Sequence, residues 1–196
     1  RTAPAPLLHL AGFVRESGIK VVLTGEGADE IFAGYDIFRE DKVRRFWAEA
    51  PQSKRRPALL SKLYPYMARD PRSEVFWRSF FGQDLLKVAD PYYSHRLRWR
   101  HSGQIKRFLA PDVVAQMQTD EALFAELEAY LDPQRETWHP LCRAQYLEFA
   151  LFMSGFLLSA QGDRMMMAHS VESRVPFLDH RLIELAAQIP PKFKLR

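Results

Sequence analysis

The stretch "GIKVVLTGEG", Gly18 to Gly27, restricts the fold more than any other part of the chain. A short continuous apolar run bounded by glycines reads as a strand buried on both faces, the kind found in parallel sheets. It is preceded by Leu7, Leu8, Leu10, Ala11 and Val14, which share one face of a helix that stops at Ser17-Gly18. It is followed by "ADEIFAGY", which begins as a helix. Helix, glycine turn, buried strand, glycine turn and helix form a piece of a βαβ pattern. A lone parallel-type strand cannot make a sheet. No second convincing strand is legible after Tyr35, so its neighbours are expected in polypeptide outside these residues.

The rest of the chain reads as helices. "KVRRFWAEA", "PALLSKLYPYMARD", "SEVFWRSFFGQDLLKV", "PDVVAQMQTDEALFAELEAYL", "LCRAQYLEFALFMSGFLLSAQGDRMMMA" and "RLIELAAQI" have helical spacing, and prolines punctuate them. Pro65 is expected to kink or split its helix. Leu147–Ala160 is 14 residues long and holds Glu148, short for a membrane span and right for a buried helix. The fold class that follows is α/β, predominantly helical, and the chain reads as the later part of an α/β domain with a helical remainder.

At 196 residues with 47% hydrophobic content the chain can bury a core. Its net charge of +4 does not by itself argue for nucleic acid. Cys142, the one cysteine, excludes an intrachain disulfide, points to a reducing, cytoplasmic compartment, and reads as a small apolar core residue rather than a nucleophile. The N-terminal run, interrupted by His9 and followed by Arg15 and Glu16, is no signal peptide. The histidines do not cluster at metal-ligand spacing. The basic run Ser94 to Arg107 reads as solvated surface, with nucleic-acid binding as the weaker alternative.

Ligands of open α/β sheets bind at the carboxyl ends of the strands, where Thr24 to Glu30 lies. Gly25 and Gly27 allow unusual torsions and close approach of a ligand to the main chain. Asp29 and Glu30 have two readings: they complement the dipole of the helix they open, or a carboxylate there binds Mg²⁺ attached to nucleotide phosphates. Glu26 could hold an ammonium group. The stretch is neither a Walker A loop nor G-x-G-x-x-G. In the second acidic and basic block, Arg164, Glu172, Arg174 and Asp179 stand among apolar residues and read as buried ion pairs that are structural, with Asp179 capping the helix near His180. Met165 to Met167 read as core filling.

"LTGEGADEIFAGY" resembles the segment of the asparagine synthetase (glutamine-hydrolysing) family that follows its nucleotide-binding loop. "GDRMMMAHSVESRVPFLDHRLIELAAQIP", Gly162 to Pro190, resembles that family's other strong signature, about 130 residues on. The middle, about 41 to 137, is only generically similar. The resemblance implies part of an adenine-nucleotide alpha-hydrolase-like (N-type ATP pyrophosphatase), Rossmann-like synthetase domain spanning 1–196, with 1–40 ending its nucleotide-binding core and 41–196 mainly helical. It implies a ligase of asparagine biosynthesis that turns aspartate into asparagine through a β-aspartyl-adenylate attacked by ammonia from glutamine. In that mapping Thr24 and Gly25 contact ATP, Glu26 takes part in adenylate chemistry, Asp29 binds Mg²⁺, and Glu30 has no assigned role. The implied partners are aspartate, ATP, ammonia and a glutaminase domain, with a homodimer possible and neither nucleic acid nor membrane. The family's S-G-G-x-D-S loop, its glutaminase cysteine and a lysine after the second block fall outside the 196 residues, so the chain is expected to be a section of a synthetase, inactive alone. β-Lactam-forming relatives typically carry tyrosine at the Glu26 position, so the glutamate favours the asparagine branch. Another amide synthetase on the same domain and a non-catalytic helical interaction module are the alternatives.

Overall fold

Pro4–Glu16 forms α1 because proline suits the first turn of a helix and the apolar residues after it recur at helical spacing. The Ser17 hydroxyl bonds back to the Phe13 carbonyl, and Gly18, at φ 77°, takes the left-handed turn that ends the helix. A computed structural model of the chain describes residues 2–65 and 71–195. The elements that follow are β1 (Val21–Leu23), α2 (Ala28–Phe32), α3 (Asp36–Ala48), α4 (Leu60–Leu63), α5 (Pro71–Phe81), α6 (Tyr93–Gly103), α7 (Pro111–Gln116), α8 (Asp120–Tyr130), α9 (Pro140–Glu148), α10 (Arg164–Met167), β2 (Glu172–Arg174), α11 (His180–Gln188) and α12 (Pro191–Lys194). A π-helix, Phe149–Asp163, joins α9 to α10. The architecture is mostly helical with a small parallel sheet.

The chain divides into two compact units, Arg1–Tyr35 with Gln145–Arg196, and Asp36–Ala144. Much of what the sequence reads as a helical remainder therefore belongs with the first 35 residues.

In the first unit β1 pairs in parallel with β2, in the register Val21↔Glu172, Val22↔Ser173 and Leu23↔Arg174. The Glu172 amide donates to Lys20 and the Thr24 amide to Arg174, at 2.8 and 2.9 Å. Ala11, Met166 and Val171 form the buried core beneath the sheet, with Leu7, Val14 and Val22 packed against them. This corrects two expectations. A second strand does lie within the chain, hidden because three residues, Glu-Ser-Arg, carry no apolar alternation. And β1 is not buried on both faces: Val22 turns to the core, while Val21 is 40% and Leu23 74% exposed. The partner of Val21 and Leu23 on that second face is the polar pair Glu172 and Arg174, which covers nothing.

The second unit is built on α3, which packs against α6 and α4. Its core gathers Trp47, Leu60, Tyr64, Phe81, Leu85 and Leu97. Tyr64 and Phe81 stack at 5.8 Å with nearly parallel rings. Pro65 does end its helix, since α4 closes at Leu63; residues 66–70 of the expected helix lie outside the described residues. The expected helix over 111–131 is two helices, separated because Met117 and Thr119 are extended and the Thr119 hydroxyl caps α8 from the Ala122 amide. The basic run divides: its first half lies in α6, which buries Ser94, His95 and Leu97 while Arg96, Arg98 and Arg100 pair with Asp90, Glu40 and Asp84, and from Arg100 to Arg107 it is exposed as expected, with only Lys106 half-buried. Cys142 is half-buried and unpaired.

The apolar stretch Leu147–Ala160 is helical as expected, but most of it winds as the π-helix. No helix among the described residues is long and apolar enough to cross a membrane.

Candidate functional site

Three glycines and a short helix shape the loop after β1. Gly27 caps α2 at φ 94°, a conformation that resists other residues, and a Cβ there would meet the Leu178 Cδ2 at 2.3 Å. The Ala28 amide turns back to the Gly25 carbonyl at 3.1 Å, and the Ile31 amide to that of Gly27. α2 runs only five residues before Ala33 takes the left-handed conformation, φ 60°, and its amide closes on the Asp29 carbonyl. The loop is thus tied at both ends by its own backbone. Between those ties the side chains of Glu26, Asp29 and Glu30 share one place.

That place is a cavity of about 550 Å³ within the first unit. Thr24, Gly25, Glu26, Gly27, Asp29 and Glu30 line it, together with Tyr35. The opposite wall is apolar: Leu7, Leu10 and Val14 from α1, Leu157 from the π-helix, and Met166 from α10, with Gln161 as its polar member. All four residues singled out in the sequence, Thr24, Gly25, Glu26 and Asp29, are brought together here. The wall opposite them was legible only as helix periodicity.

The carboxylates differ in their surroundings. Oε2 of Glu26 is shut off from solvent and has no hydrogen-bond partner. Asp29 is exposed. Glu30 is 1% exposed, and its Oε1 accepts a 2.7 Å hydrogen bond from the Tyr35 hydroxyl. Its backbone carbonyl accepts from the Gln145 amide group. Burial pushes the Glu30 carboxyl above its ordinary range; the Tyr35 hydrogen bond pulls down, and the charges of Asp29 and Glu148 push further up. The Tyr35 phenol is raised as well, first by burial and then by donating to Glu30. Sequence reasoning left Glu30 without a role; the signal that it is held inside was the tyrosine five residues on.

The second block divides. Asp179 does cap α11, accepting from the Arg181 amide at 3.0 Å, and Arg181 holds both of its oxygens. That pairing keeps the Asp179 carboxyl well below the usual carboxylate range. Glu172 and Arg174 do pair, at 2.7 Å, but at 57% and 63% side-chain exposure. Arg164 is exposed too. The expectation of buried ion pairs fails for these three; for Glu172 and Arg174 the reason is that a strand covered on one side leaves alternate residues in solvent. Met166 is buried in the core as expected; Met167 is 64% exposed.

Among the described residues no three His, Cys, Asp or Glu side chains gather as a metal-binding group. The cavity's carboxylates, Glu26, Asp29 and Glu30, do not gather into such a group, which suits an ion that arrives with most of its ligands, as Mg²⁺ on phosphates does.

A family model described as asparagine synthase matches residues 1–196. The chain is 33% identical to Amidase chry2 of Gibberella zeae over 96% of its own length and 28% of that protein. It is 30% identical to a putative asparagine synthetase (glutamine-hydrolyzing) of Mycobacterium tuberculosis, over 98% of the chain and 27% of the relative. With asparagine synthetase (glutamine-hydrolyzing) 1 of Bacillus subtilis it shares 28% identity over 99% of the chain and 28% of the relative. No solved structure matches it. The chain spans between a quarter and a third of the length of these curated relatives.

Proposed function

The chain belongs to the asparagine synthase family, and from that premise we propose that its cavity is the synthetase site of an ATP-dependent amide-forming ligase, with aspartate as the carboxylate and ammonia released from glutamine as the nitrogen donor. The parallel pair β1 and β2 then belongs to an adenine-nucleotide alpha-hydrolase-like (N-type ATP pyrophosphatase) domain. The observation that carries the reading is the convergence of Thr24, Gly25, Glu26 and Asp29 on one cavity at a strand end, with a carboxylate oxygen of Glu26 left buried and unpartnered.

Thr24 and Gly25 offer main-chain groups to the nucleotide at the carboxyl end of β1. The substrate carboxylate attacks the α-phosphorus, pyrophosphate leaves, and ammonia then attacks the acyl carbon as AMP departs with the carboxyl oxygen. A buried carboxylate oxygen without a donor is costly, and Glu26 recovers that cost when a ligand supplies a proton or a cationic nitrogen. A cationic nitrogen of the substrate acid held there would orient its carboxylate toward the α-phosphorus. Asp29 would hold Mg²⁺ carried by the phosphates, and that ion would offset the repulsion between phosphate and carboxylate.

A second reading differs only in the acid. The relatives called amidases, chry2 and chyE, are 33% and 32% identical, no more distant than the asparagine synthetases at 28–30%. A carboxylate other than aspartate suits the same chemistry.

Isotope exchange between pyrophosphate and ATP in the full-length enzyme, run with aspartate and with a panel of other carboxylic acids, tests both readings. Aspartate-dependent exchange that falls about 10²-fold or more in Glu26→Gln, with an unchanged melting temperature, is the expected result. Exchange with another acid alone moves the substrate. Wild-type rates in Glu26→Gln remove that residue from the chemistry.

A further inference from the structure

We infer that Gly34 is a positioning residue for Asp29, glycine because the carboxylate lies where any side chain would be. The inference rests on the reading that Asp29 faces a nucleotide-borne cation. A Cβ built on Gly34 would stand 2.0 Å from Oδ1 of Asp29 and 3.0 Å from its Cγ. The backbone of Gly34 does not require glycine, since the left-handed residue of this turn is Ala33, not Gly34. Glycine's conformational freedom therefore goes unused at 34, and what remains is its lack of a side chain.

The turn explains how the two residues meet. α2 ends after one and a half turns, Ala33 reverses the chain, and the Gly34 amide closes on the Asp29 carbonyl at 2.9 Å. Gly34 is thereby folded back over the first turn of the helix, against the side chain that opens it. The next residue repeats the arrangement: Tyr35 reaches Glu30 with its hydroxyl. One reverse turn thus fixes two consecutive carboxylates of the cavity, Asp29 by close contact and Glu30 by a hydrogen bond. A non-glycine residue held at positive φ is a conformational cost that proteins retain where geometry matters.

The colliding atom is the far end of the Asp29 side chain, while the nearest backbone atom, its Cα, is 3.3 Å away. A methyl group at 34 is relieved by swinging the carboxylate aside. Gly34→Ala should then leave the fold in place and misdirect Asp29. This separates a positioning role from a merely structural one.

The experiment uses the full chain as wild type, Gly34→Ala, Asp29→Ala and the double variant. The first measurement needs no ligand: the side-chain carboxyl carbon of Asp29 is followed by NMR at one pH. Its chemical shift should move in Gly34→Ala. The second is the Mg²⁺ concentration that half-saturates ATP binding, which should rise about tenfold in Gly34→Ala, the usual scale for residues that orient a metal ligand. In the Asp29→Ala background, adding Gly34→Ala should change neither stability nor Mg²⁺ dependence, because the atom it displaces is gone. An unmoved Asp29 resonance in Gly34→Ala, or an equal effect of Gly34→Ala with and without Asp29, overturns the inference. If Asp29→Ala leaves Mg²⁺ dependence unchanged, it is the metal role of Asp29 that fails, and the resonance still decides what Gly34 does.

Discussion

The two units treat buried charge differently, although Asp41 Oδ1 and Arg135 Nε of the second also lack a partner. In the second, nearly every buried ionic group is met by a partner. Glu40, 1% exposed, accepts from Arg98 at both oxygens and from the Tyr64 hydroxyl. Arg44, also 1% exposed, donates to the carbonyls of Phe81, Tyr93 and Gln83 and lies over the Tyr93 ring. Arg135 is held by Glu128 and the Tyr92 hydroxyl. Asp41 binds Arg45 through Oδ2 and leaves Oδ1 unpaired; burial raises its carboxyl, with Arg45 opposing. In the first unit the carboxylates around the cavity meet no arginine or lysine among the described residues: Glu26 keeps an unpartnered oxygen, and the side chain of Glu30 has a tyrosine hydroxyl. Charge that is compensated holds a fold together, and charge left waiting marks a place for something else.

Removing compensation should cost most in the second unit. Arg44→Ala strands the buried carbonyls of Phe81 and Tyr93 and the part-buried one of Gln83, and the loss should be about 3–5 kcal/mol, read by chemical denaturation. A loss under about 1 kcal/mol would mean water replaces the guanidinium, and the contrast between the units would shrink.

Glu30 probes the other side. Its folded carboxyl is raised, so the native state holds the proton more tightly than the unfolded chain does. The stability this contributes is present below the ordinary carboxylate range and is lost as pH rises through the folded value. Glu30→Gln keeps an acceptor for Tyr35 and cannot ionise. Its melting temperature should gain on the wild type as pH increases from acid to neutral, by an amount smaller than the Arg44 effect. Parallel pH curves for the two proteins would show Glu30 to be compensated after all.

The smallest effect belongs to Arg174→Ala. Sequence context suggested a buried pair worth several kcal/mol. At more than half exposure, the pair with Glu172 should be worth about 0–1 kcal/mol, with a correspondingly small change in melting temperature.

That reversal measures what the sequence could carry. Glycines and apolar runs speak locally, so α1, its stop at Gly18, β1, the Asp179 cap and the break at Pro65 were all legible. Thr24, Gly25, Glu26 and Asp29 were legible as a group because they sit within six residues. Burial is decided by what lies opposite, and that was not written nearby. Arg174 faces solvent because none of the described residues covers that side of the sheet, while the arginines of α6 are paired by acids from 6 to 58 residues away. β2 was invisible for the same reason: it is a strand only because β1 offers it a ladder. The cavity's far wall likewise comes from α1, the π-helix and α10.

The pairing of β1 with β2 joins residues about 150 positions apart. Contacts of such long sequence separation are slow to form, since a large loop must close before they return anything. During synthesis at about 5–20 residues per second, Thr24 to Glu30 leave the ribosome roughly 7–30 s before Arg174 does. For that interval the second unit, a continuous stretch, can already assemble while β1 is still an unpaired edge with Val21 and Leu23 in solvent. The loop that carries the carboxylates is made first and enclosed last.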